Sequence, residues 1–113
     1  MTVKINTKDG QIELTDDVIA TVVGGATTEI FGVVGMASKS AIKDNFQALL
    51  RKENYSKGVV IKTLEDGRIA VDVYTVMSYG VKISEVSRNI QERVKFNLES
   101  QLGISVDAVN VFI

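Results

Sequence analysis

Ser84-Glu-Val-Ser-Arg-Asn-Ile-Gln-Glu-Arg-Val-Lys-Phe-Asn-Leu-Glu-Ser-Gln-Leu102 decides how the rest of the chain is read. With Ile83 just before it, Val86, Ile90, Val94 and Leu98 recur at spacings of three and four, so at 100° per residue they stack into one apolar stripe. Arg88, Glu92, Lys95 and Glu99 fall on the opposite side at similar spacings, close enough along a helix for opposite charges to attract. The pattern predicts a helix over 84–102, stopped by Gly103 in a left-handed cap. A closing strand over 106–113 follows, with Val109, Val111 and Ile113 pointing one way and Ala108, Asn110 and Phe112 the other. The apolar stripe needs a sheet to bury it. Phe96 lies about 140° from the stripe, among Arg88, Asn89 and Glu92, and is either covered by another part of the chain or used in a partner contact.

That sheet is sought upstream of the helix. Residues 58–64 and 68–77 alternate around Glu65-Asp66-Gly67. A two-residue loop would place Ile61 opposite Asp72 and mix charge into the core face. A three-residue loop with Gly67 left-handed instead pairs Val59 with Val73, Ile61 with Val71 and Thr63 with Ile69 on one face. The other face then carries Val60, Lys62, Leu64, Arg68, Ala70, Asp72, Tyr74 and Val76, with Asp72 replaceable by alanine at little cost. This face is more apolar than a solvated one requires. Val60, Tyr74, Val76 and Phe112, together with Phe96 on the helix, are therefore the candidate partner surface, with Tyr74 at its centre, and a second copy of the chain is one candidate occupant.

Further upstream, Val3 and Ile5 alternate, Asp9-Gly10 turns, and Ile12 and Leu14 alternate again, as in a short strand or hairpin. Thr15 is placed to cap a helix with Asp16 and Asp17 in its first turn. Val18, Ile19, Val22, Ala26 and Ile30 form its expected apolar face, and Ala20, Thr21, Gly24 and Thr28 a small-residue surface. Gly32-Val-Val-Gly35-Met36 reads as a short buried strand. Residues 18–37 carry Glu29 as their single charge, but the glycines and that carboxylate argue against a membrane span. Ser38 or Ser40 would cap a third, short helix near 41–51, with Ile42, Phe46, Leu49 and Leu50 apolar.

Composition excludes more than it assigns. With 113 residues and 45% hydrophobic content, one domain with one core is expected over residues 1–113. There is no Cys, His, Trp or Pro, which removes disulfides, thiolate nucleophiles, imidazole bases and the usual zinc ligands together. No cofactor or metal is expected: Asp16 with Asp17 and Glu65 with Asp66 are explained by a helix start and a turn. A net charge of −1 provides no basic field for nucleic acid, and Gly32-Val-Val-Gly35 has the spacing of a KH loop but two valines where polar residues are wanted. The one charge asymmetry is a basic patch of Lys39, Lys43, Arg51, Lys52, Lys57 and Lys62 against Asp44 and Glu53, a local 6 − 2 = +4. The N-terminal residues lack an apolar signal core, so a cytoplasmic location is expected.

Seven stretches belong together: Gly10-Gln-Ile-Glu-Leu14 with Val18-Ile19, Glu29-Ile-Phe-Gly-Val-Val-Gly-Met36, Lys57-Gly-Val59, Asp66-Gly67, Tyr79-Gly-Val81, Val86-Ser-Arg-Asn-Ile-Gln-Glu-Arg-Val94 and Val109-Asn-Val111. In this order and spacing the chain resembles the alkaline-shock and Gls-type general stress protein family of Gram-positive bacteria. The resemblance implies a small cytoplasmic protein without an active site, linked to cell-envelope stress and in some members held at the membrane through a protein partner. The expected fold is α/β (α+β). It is a single two-layer domain whose mixed or antiparallel sheet carries helices 16–30 and 84–102 on one face, with a smaller helix near 41–51, the nearest alternative being a ferredoxin-like core with that small helix inserted. The expected function is non-enzymatic binding or scaffolding, the alternatives being an RNA-binding module and a small-molecule carrier or accessory subunit.

Overall fold

The computed structural model describes residues 2–38 and 57–113. The chain runs β1 (Thr2–Thr7), β2 (Gly10–Thr15), α1 (Asp16–Thr28), β3 (Val33–Met36), β4 (Val59–Thr63), β5 (Ile69–Met77), α2 (Ile83–Gln101) and β6 (Val106–Phe112). It is a small α+β fold, and the third helix expected near 41–51 lies outside the described residues.

β5 organises the main sheet. Its register with β4 matches the three-residue loop: Val59 faces Val73, Ile61 faces Val71 and Thr63 faces Ile69. Gly67 has φ +88°, a left-handed conformation that a side chain would strain. Backbone hydrogen bonds alternate between the two edges of β5. Arg68 and Tyr74 accept from Leu64 at 2.8 Å and Ala37 at 3.1 Å, and Ser78 donates to Gly32 at 2.8 Å; the odd-numbered Ile69 instead donates to Ser105 at 3.1 Å. β3 and β4 therefore lie end to end along one edge, both antiparallel to β5, and β6 runs parallel along the other. The sheet is mixed. A parallel neighbour cannot be reached by a tight turn, and α2 supplies the crossover from β5 to β6.

Both helices cover one face. Ile69, Val71 and Val73 of β5 meet Val86, Ile90, Val94 and Leu98 of α2 in a buried core that also holds Ile19, Val23 and Ala26 of α1. α2 begins and ends one residue earlier than the spacing predicts, and Gly103 follows it in the expected left-handed conformation at φ +69°, with the Ile104 N–H donating back to Leu98 at 3.3 Å. In α1 the Thr15 hydroxyl accepts the Val18 N–H at 3.3 Å, as the cap reading requires. Its buried face, however, is Ile19, Ala20, Val23, Gly24, Ala26 and Thr27, while Val18 is exposed and Val22 half-buried. The expected face is thus turned by about one residue. Thr27 is tolerated inside because its hydroxyl donates to the Val23 carbonyl at 2.8 Å.

Two further details differ from expectation. The N-terminal residues do form a hairpin, but its turn is Lys8-Asp9, and Gly10 already pairs with Thr7. β3 is only partly buried: Gly35 and Met36 are inside and Val34 is exposed. Gly32 precedes the strand in a turn with φ +100°, and a Cβ there would sit 2.9 Å from Cγ2 of Val86. This close approach to α2 explains the glycine without any nucleic-acid clamp.

Candidate docking surface

The sheet face turned away from the helices brings Val60, Tyr74, Val76 and Phe112 together, as the alternation predicts, but it does not leave Tyr74 open. β6 places Phe112 beside it, ring centroids 4.8 Å apart and 15° from parallel, and Tyr74 is only 8% exposed. Tyr74 is therefore corrected from the centre of an open face to a buried residue. Val60 and Val76 are half-buried, and Phe112 is exposed.

Asp72 needs the same correction. It is 4% exposed, its Oδ2 lying 3.0 Å from Nζ of Lys62 and its Oδ1 accepting from Nδ2 of Asn110 at 2.9 Å. A buried carboxylate is tolerable only when it is paired and hydrogen-bonded, and strands on both sides of β5 meet that need here. Of the basic patch, Lys57 and Lys62 are exposed, Lys62 being committed to Asp72. Lys39, Lys43, Arg51 and Lys52 lie outside the described residues.

The exposed aromatic surface is elsewhere, at the end of the sheet where α1 stops and α2 starts. Phe31 is 92% exposed and Tyr79 fully so. Both extend past the last rung of the β3–β5 ladder, where Val33 faces Met77 and the Gly32 carbonyl accepts from Ser78. Phe96, 67% exposed, lines a cleft of about 400 Å³ together with Phe31, Ile30, Glu29, Asn89, Glu92 and Arg93. Arg93 reaches Glu29 at 3.8 Å, tying α2 to the end of α1. Of these aromatics only Phe96 is marked by periodicity, because it breaks the polar face of its helix. Phe31 and Tyr79 sit in turn segments where no period exists to violate.

Two polar side chains of α2 also serve the sheet. Gln91 donates to the Val109 carbonyl at 3.0 Å and Glu99 accepts the Val106 N–H at 3.3 Å, satisfying backbone groups of β6 that β5 does not reach. At the β4–β5 turn, Arg68 donates to Asp66 through its backbone N–H at 3.1 Å and its guanidinium at 2.7 Å, holding that carboxyl below the usual carboxylate range. The same guanidinium lies 2.8 Å from Asp107, pinning the turn to the start of β6. Among the described residues no three acidic side chains converge as a cation site would require. No described helix is long and apolar enough to cross a membrane.

The model of the alkaline-shock protein family, described as having a "cell envelope-related function", matches residues 4–113. The chain belongs to the alkaline-shock family. The resemblance read from the sequence is thereby borne out, and the match covers both helices and the main sheet. An uncharacterized protein of Streptococcus pyogenes serotype M6, Spy1614, is 82% identical over 113 residues, covering 100% of this chain and 93% of that protein. YloU of Bacillus subtilis, also uncharacterized, is 46% identical over 113 residues with the same coverage. YqhY of the same bacterium is 32% identical over 106 residues, 92% of this chain and 75% of its own. No solved structure matches the chain.

Proposed function

We propose that this alkaline-shock family protein is a non-catalytic docking protein of the cell envelope, acting from the cytoplasm and held near the membrane by a protein partner. One observation carries the reading: Phe31 and Tyr79, almost wholly exposed, leave the same end of the sheet, and Phe31 shares a cleft with Phe96. Large aromatics left in water at one place mark contact surfaces, since their burial against a partner releases more free energy per residue than most side chains can. The envelope-related description of the family supports the destination. The lack of His and Cys in the whole chain supports a role without catalysis.

The test is affinity capture from the envelope fraction of native cells, comparing the parent with the double variant Phe31→Ser/Tyr79→Ser. An envelope protein held stoichiometrically by the parent and lost at least about tenfold from the variant is expected, with both chains melting at the same temperature. Equal recovery by the two chains would refute the assignment of the surface.

A further inference from the structure

The outer face of α2 carries a charge pattern that the ion pairs among the described residues leave unused. Arg88, Glu92, Lys95 and Glu99 follow one another at spacings of four, three and four on the side away from the core, and all four are exposed. Their signs alternate: plus, minus, plus, minus. Such spacing suits ion pairs along one helix, yet among the described residues Arg88, Glu92 and Lys95 enter none. The pairs that α2 does form use Lys82 with Glu85 and Arg93 with Glu29. Glu99 commits one carboxylate oxygen to Val106.

An alternating series of this kind is its own complement when reversed. A second α2 laid antiparallel on the first, with a two-fold axis between residues 93 and 94, brings position i opposite position 187 − i. Arg88 then meets the second copy's Glu99, and Glu92 meets its Lys95, each twice by symmetry. A parallel copy in the same register would oppose like charges. Phe96 falls on the side of this contact toward α1, where it borders the cleft with Phe31. The two copies of Phe96 would stand about 7.5 Å apart along the helix axis, near enough for their rings to pack. An apolar strip on one side and four ion pairs on the other make the composition of a small two-fold interface.

We propose that the protein self-associates through antiparallel α2 helices in this register. The proposal names an occupant for the Phe96 side of the docking surface and rests on that reading there alone, since Tyr79 takes no part in it. The experiment is sedimentation equilibrium over a concentration series on the parent, Glu92→Lys, Lys95→Glu, and an equimolar mixture of the two variants. The parent is expected to reach twice the chain mass. Each single reversal opposes like charges at two symmetric places and weakens the dimer about tenfold or more. In the mixed dimer both places regain a lysine opposite a glutamate, so the mixture recovers the parent's affinity, a result that pairing within one helix cannot produce. A parent that stays monomeric at high concentration, or a mixture no tighter than either variant alone, overturns the proposal, while the envelope-capture experiment reads independently of both.

Discussion

Asp72 lies on the sheet face that α1 and α2 do not cover, where alternation alone would give it to water. β6 and Lys62 enclose it instead. Removing its carboxylate leaves the Asn110 amide without its acceptor and Lys62 without its counter-charge, so Asp72→Ala is expected to cost about 1 to 3 kcal/mol, read as a lowered midpoint in thermal or denaturant unfolding. Asp66 works in the opposite setting, at an exposed turn. Arg68 holds its folded-state carboxyl below the ordinary value of 3.8. A depressed carboxylate stabilises the fold fully above its unfolded value, and the contribution fades as pH falls through the folded one. The parent should therefore melt above Asp66→Asn at neutral pH, and the gap should close as the solution is acidified below 3.8. A gap that persists in acid would mean the asparagine acts through turn geometry and not through charge.

At the scale of the elements, α1 shows where periodicity loses resolution. Val18, Val22 and Ile19, Val23 form two adjoining apolar stripes separated by one residue, and either could face the core. Packing against α2 selects the second, leaving Ile19 and Val23 fully buried and Val18 exposed. Ile19→Ala should accordingly cost about 2 to 5 kcal/mol by opening a cavity, whereas Val18→Ala should stay within about 0.5 kcal/mol; paired melting curves decide it. The caps were legible in advance because they are local: Thr15 bonds three residues ahead and Gly103 ends α2 through its own φ. The β4–β5 register was legible for a related reason. Of the two loop lengths, only the three-residue one puts Val59 and Ile61, and not Lys62, on the face that holds Val71 and Val73.

For the whole molecule, the exposed aromatic end should be nearly free of structural duty. Phe31→Ser/Tyr79→Ser should unfold at the parent's midpoint to within about 1 kcal/mol, since side chains already in water lose little contact when shortened. A larger loss would make these residues part of the core's support and remove them from the docking surface. Phe31 and Tyr79 were not visible beforehand, because they are distant in sequence and reach one end of the sheet only where β3 pairs with the last residues of β5. Hydrophobic spacing, caps and turn chemistry, all acting over a few residues, were enough to specify two helices, the β4–β5 hairpin and the apolar stripe of α2. Pairing over long sequence distances chose the rest: β6 joins β5 in parallel through α2, and that single placement buries Tyr74 and Asp72 from one side. No local pattern encodes it, because the free energy that selects a strand's neighbour comes from side chains contributed by the other strand.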